Sequence, residues 1–185
     1  MNRSFLIYAS TSVLCAMATF AQGEHAPTPA PELEKLNYFI GTWQTEADMK
    51  PGPMGPGGKY TSTDTYKWKP GKFFVTGTNT FKAPTGNGTE LMTLGYDVAQ
   101  KVYTYNAAIG DERHSATGTL EGDTLTWTST EPSTQPATQR VTQPSPFKWH
   151  YIEKLVSPTM FTIKFETSKD GTNWSTVMEG KSVKQ

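Results

Sequence analysis

The sequence predicts an all-β fold: an up-and-down antiparallel barrel of about eight to ten strands, led by one short helix. Three observations predict it. Beyond residue 40, apolar and polar residues alternate with period two, most cleanly in Phe161-Thr162-Ile163-Lys164-Phe165-Glu166. That is the pattern of a strand with one buried face. Turn-forming clusters part such runs at short intervals: Lys69-Pro70-Gly71-Lys72, Thr85-Gly86-Asn87-Gly88, Asp97-Val98-Ala99-Gln100, Glu121-Gly122-Asp123 and Lys169-Asp170-Gly171. No crossover helix is indicated between them, so sequence neighbours pair as hairpins. Closing that many strands into a barrel leaves no open edge. A sandwich is the alternative packing.

The elements follow in order. Asn2-Arg3 and the apolar stretch from Phe5 to Phe20 read as a secretory signal peptide, residues 1–21, with small residues at Thr19 and Ala21 before a cut ahead of Gln22. Residues 22–32 are a Pro/Ala-rich tether, and 33–185 form one domain. Pro31 is placed for a helix start, with Leu33, Leu36 and Phe39 or Ile40 at helical spacing. Strands are expected near 41–49, 58–69, 72–82, 89–96, 101–109, 113–120, 123–130, 138–143, 147–156, 159–168 and 173–183, the 138–143 piece being weak. Phe73-Phe74-Val75 and Leu91-Met92 are shorter apolar runs that read as better-covered strands. Residues 51–58, rich in Pro and Gly, read as a loop. Residues 131–146, rich in Pro, Thr, Ser and Gln, read as a long connection able to arch over the barrel mouth.

Charge narrows the function classes. The 185 residues carry 17 Lys and Arg against 17 Asp and Glu, which argues against nucleic-acid binding and against a polybasic membrane-surface protein. Cys15, the only cysteine, falls inside the signal segment, so the exported domain stands without disulfides. No later stretch is long and apolar enough to span a bilayer as a helix. Export to the periplasm or the extracellular space is therefore expected.

Leu36-Asn37-Tyr38-Phe39-Ile40-Gly41-Thr42-Trp43 resembles the Gly-x-Trp start of lipocalin-like (calycin) barrels. Leu94-Gly95-Tyr96-Asp97 with Lys101-Val102-Tyr103-Thr104-Tyr105, and Ser168 to Trp174 leading to Glu179-Gly180, extend the likeness from Leu33 to Val183. Together they resemble an exported bacterial calycin-like family of unknown function. The resemblance implies a barrel whose Trp43 plugs one end; it implies little about function.

Taking the aromatic side of each strand as inward nominates polar groups for the lumen. Asp64 shares its face with Tyr60, Tyr66 and Trp68; His114 with Ala116 and Leu120; Glu153 with Phe147, Trp149, Tyr151 and Leu155. A buried acid must be paired or protonated, which makes each a candidate ligand contact. With Trp43 and Tyr105 added, the candidate binding set is Trp43, Tyr60, Asp64, Tyr66, Tyr105, His114, Trp149 and Glu153. The five tryptophans are expected to pack the barrel core and its ends, some of them lining a cavity. His25, His114 and His150 lack metal-site spacing. No cofactor is expected, a haem on His114 being the minor exception. There is no Gly-x-Ser-x-Gly elbow, no thiol in the exported chain and no phosphate-binding loop. The expected function is binding of a small apolar or amphipathic molecule in the lumen. A filled barrel acting through its loops, or an acid–base enzyme using the inward acids and His114, are the alternatives.

Overall fold

The computed structural model describes residues 27–52, 55–130 and 147–185. The signal segment, the first part of the tether, the 138–143 strand and the arching 131–146 connection lie outside them. The described residues form a 3-10 helix, Pro31–Tyr38, followed by β1 (Gly41–Met49), β2 (Gly58–Trp68), β3 (Val75–Ala83), β4 (Gly86–Asp97) and β5 (Val102–Ile109). Then come β6 (Glu112–Glu121), β7 (Thr124–Ser129), β8 (Lys148–Ser157), β9 (Met160–Ser168) and β10 (Ser175–Lys184). Each strand pairs antiparallel with its sequence neighbours, and β1 pairs with β10, from Trp43 opposite Lys184 to Met49 opposite Met178. The sheet is a closed ten-stranded barrel, not a sandwich.

The N-terminal helix stoppers one end. Leu33 and Leu36, three apart, are buried, and Phe39 follows in the same line. That spacing of three suits a 3-10 helix, in which residues i and i+3 eclipse, so Pro31 begins the helix and shortens the expected tether. Trp43 is fully buried beneath it and donates its indole N–H to the Phe39 carbonyl at 2.7 Å. Phe161 and Tyr38 pack on that indole, with centroids 4.8 and 5.4 Å away. The Tyr38 hydroxyl bonds the β8–β9 turn, 2.7 Å from the Ser157 carbonyl and 2.8 Å from that of Met160. Tyr103 donates to the Glu32 carbonyl at 3.0 Å and Trp68 to Asn37 Oδ1 at 2.8 Å, so four strands hold the helix in place.

Several boundaries differ from the sequence reading, for steric reasons. β3 starts at Val75; Phe73 and Phe74 precede it in the turn and are 38% and 40% exposed. Leu91 points outward while Met92 points in, so this part of β4 is covered on one face only. Gly86-Asn87-Gly88 is ladder, not turn: Pro84 and Thr85 make the hairpin, and Gly88 leaves room for the Phe81 ring across from it. β10 begins at Ser175, because Asp170 cages the preceding loop, accepting the backbone N–H groups of Thr172 and Asn173 at 2.8 Å each. Trp174 joins neither core nor barrel end. It stacks on His150 at 3.5 Å between centroids.

Inward glycines make space for inward aromatics. A Cβ on Gly118 would lie 2.7 Å from the Trp127 ring on the neighbouring strand β7. Gly118→Ala is therefore expected to lower folding stability by about 1–3 kcal/mol through overpacking, read as a lower urea midpoint. An unchanged midpoint would show that the Trp127 ring yields freely.

Candidate functional site

Below the mouth and above the helix-capped floor, the barrel encloses a cavity of about 390 Å³, within the usual range of small-molecule sites. Ten strands enclose more width than an eight-stranded barrel, which side chains just fill. The floor is Phe39, Tyr66 and Leu94; the walls carry Trp127, Tyr151 and Phe165. Trp149 and Phe165 stack at 5.9 Å, and Tyr105 lies 5.7 Å from Trp127, so the aromatic lining is continuous on the β5–β9 side.

The β2–β4 side is polar. Asp64 pairs in register with Asn79, and Asn79 with Glu90, placing the three inward side by side on β2, β3 and β4. Ser62 donates to Asp64 Oδ2 at 2.7 Å, Thr45 to the same oxygen at 3.2 Å, and the Asn79 amide to Oδ1. Burial raises the Asp64 pKa; these three donors oppose the rise. Glu90 accepts the Tyr105 hydroxyl at 2.6 Å. Its pKa is also raised by burial, opposed by that bond and by nearby His114. Burial pushes the Tyr66, Tyr105 and Tyr151 hydroxyls above their usual range, so all three remain neutral donors.

Glu153, on β8, stands apart from this row. It is buried and accepts the Trp127 indole N–H at 2.9 Å. Loss of hydration pushes its pKa up to about 8, with the Asp64 charge adding to the rise.

Of the residues nominated from sequence, Tyr60, Asp64, Tyr66, Tyr105, His114, Trp149 and Glu153 all line the cavity. Trp43 does not; it fills the sealed end below the floor. Asn79 and Glu90 are among the polar wall residues that escaped the sequence reading. Glu90 shares the parity of Met92 and Leu94, a signal obscured by reading Leu91-Met92 as one short apolar run of a better-covered strand. Asn79 sits in the Thr-rich run Thr76-Gly77-Thr78-Asn79-Thr80, where no aromatic residue but Phe81 marks the inward side.

His114 stands 3.8 Å from Glu112. A haem would find an imidazole here, but among the described residues no Lys or Arg on the cavity wall to meet inward-facing propionates, only acids, so these residues fit it poorly. Among the described residues no group of three or more His, Cys, Asp or Glu side chains is arranged to hold a metal ion.

Glu153 links stability to pH. Between about pH 5 and 8 the unfolded chain has released this proton and the folded chain retains it, so stability falls as pH rises through the window and levels off above it. Glu153→Gln keeps a carbonyl oxygen for Trp127 and removes the titration. Asp64 and Glu90 act in the same sense but are present in both proteins. Urea titrations from pH 5 to pH 9 are expected to show the wild type losing on the order of 2 kcal/mol or more relative to the variant. Parallel pH profiles would contradict the burial of this carboxyl.

The crystal structure of Rv2717c from M. tuberculosis is similar over 85% of this chain and 99% of that one, with a TM-score of 0.56 at 15% identity. The likeness is one of fold. A protein of unknown function from the DUF3598 family of Nostoc punctiforme aligns over 84% of this chain and 100% of its own at 9% identity, but its TM-score of 0.23 supports no structural comparison. No curated protein matches the chain significantly. The profile of a family of proteins of unknown function, DUF1579, matches residues 28–184, from the residues before the helix to the last strand. The chain belongs to the DUF1579 family.

Proposed function

We propose that this protein is a carrier or binding protein that holds one small, largely apolar molecule in the barrel lumen. The observation that carries the reading is the 390 Å³ cavity, continuous in its aromatic lining and bearing a few polar groups on one wall. An apolar wall gives affinity by desolvation, and a few fixed polar groups give orientation. Binding needs no nucleophile motif, and the sequence carries no Gly-x-Ser-x-Gly elbow. The protein acts after export, on the strength of its basic start and the apolar stretch from Phe5 to Phe20.

A barrel working only through its outer loops would be best served by a filled interior. An acid–base enzyme would draw on Asp64, Glu90, His114 and Glu153, which line the same cavity.

Native mass spectrometry on the chain from Gln22 to Gln185, purified from an exported fraction, tests the reading. An adduct that disappears on denaturation is expected, and an absorbance spectrum of the same sample identifies any haem. A bare mass that persists after incubation with lipid and haem mixtures would overturn it. Ala83 lines the cavity on β3 beside the β3–β4 hairpin. Ala83→Trp is expected to fill part of the opening and weaken ligand binding about tenfold, with little change in thermal midpoint. Undiminished binding by the variant would place the ligand elsewhere.

A further inference from the structure

We propose that the lumen is selective for an amphipathic cation: an alkyl- or arylammonium whose N–H groups are taken by Asp64, Asn79 and Glu90 while its apolar body lies on the facing aromatic wall. The inference deepens the lumen-binding reading and rests on it.

Three observations converge on this ligand class. Asp64, Asn79 and Glu90 form an inward row on three neighbouring strands, at directly paired positions. All three residues line the cavity. Asn79 is only 8% exposed and already commits its amide N–H to Asp64, yet its Oδ1 has no hydrogen-bond partner among the described residues. A buried acceptor left unmet is costly, and a ligand donor would satisfy it. The third observation is charge. Glu90 senses the charge of Asp64, and among the described residues no Lys or Arg lines the cavity.

A primary ammonium carries three donors and no acceptor, which matches a row of three acceptors. An alcohol could meet Asn79 but would leave the two carboxyl groups uncompensated. An anion would add to their repulsion. A bare divalent cation asks for six or more oxygens, whereas the aromatic wall opposite offers an apolar body instead. Tyr66, Trp127 and Trp149 supply ring faces that also attract a cation passing over them.

Three probes of equal chain length separate these cases: octylammonium, 1-octanol and octanoate, titrated calorimetrically into the exported chain near neutral pH. Octylammonium is expected to bind at least about tenfold tighter than octanol, with octanoate weakest. Glu90→Gln keeps an oxygen for the Tyr105 hydroxyl. It is expected to weaken octylammonium about tenfold while leaving octanol within about twofold, which also shows that the variant is folded. Asn79→Ala, which removes the unmet acceptor together with the amide donor to Asp64, is expected to act in the same direction. Octanol binding as tightly as octylammonium overturns the cation inference and leaves lumen binding standing. Failure of all three probes overturns both.

Discussion

Closure governs this molecule. Once β1 pairs with β10, every strand has a neighbour on both sides, and the inside of the sheet becomes a separate compartment. Ten strands set a circumference that side chains alone do not fill at every level. At one end the chain solves this with a 3-10 helix, laid across the opening and fixed by Trp43, Tyr38 and Tyr103. Towards the other end the described residues supply no helix, and the space left over is the cavity. The plug and the cavity are thus two consequences of one geometry.

That geometry also sets the chemistry within. Inside the compartment water no longer screens or solvates charge, so carboxyl groups that would be ordinary on the outer face become raised, mutually aware acids. Asp64 is surrounded by donors that favour its ionised form, and Glu153 has one indole N–H. The difference in donor count fits the larger upward displacement of Glu153. The wall thus carries carboxyl groups in unlike environments facing one apolar space.

How much of this was legible beforehand depended on whether a strand carried large residues on its inward side. β2, β8 and β9 did, and their inward acids, Asp64 and Glu153, were assigned from alternation alone. β3 and the start of β4 did not. There glycine sits inward at Gly77 and Gly88, because Tyr66 and Phe81 from neighbouring positions occupy the volume their side chains would need. A hydrophobicity pattern scores such a glycine as a turn or a gap, so Gly86-Asn87-Gly88 looked like a hairpin and Asn79 and Glu90 went unnoticed. Trp174 shows the converse failure: an aromatic residue reads as core by composition, although a caged loop delivers it to His150.

The polar row weighs against a purely structural interior. Replacing buried polar groups by well-packed apolar residues is often neutral or stabilising, and the neighbouring levels of this barrel are built that way, from Val75, Leu94, Leu125 and Ile163. Asp64, Asn79 and Glu90 depart from that practice together, on adjacent strands and beside open space. Desolvation at these positions disfavours the folded state with ionised acids, and the unmet Asn79 oxygen adds a further penalty. A ligand that supplies donors and positive charge would relieve both, so its binding free energy would appear in part as folding stability. Such coupling distinguishes a receptive lumen from a filled one, because only the receptive lumen has a destabilising feature that a small molecule can remove.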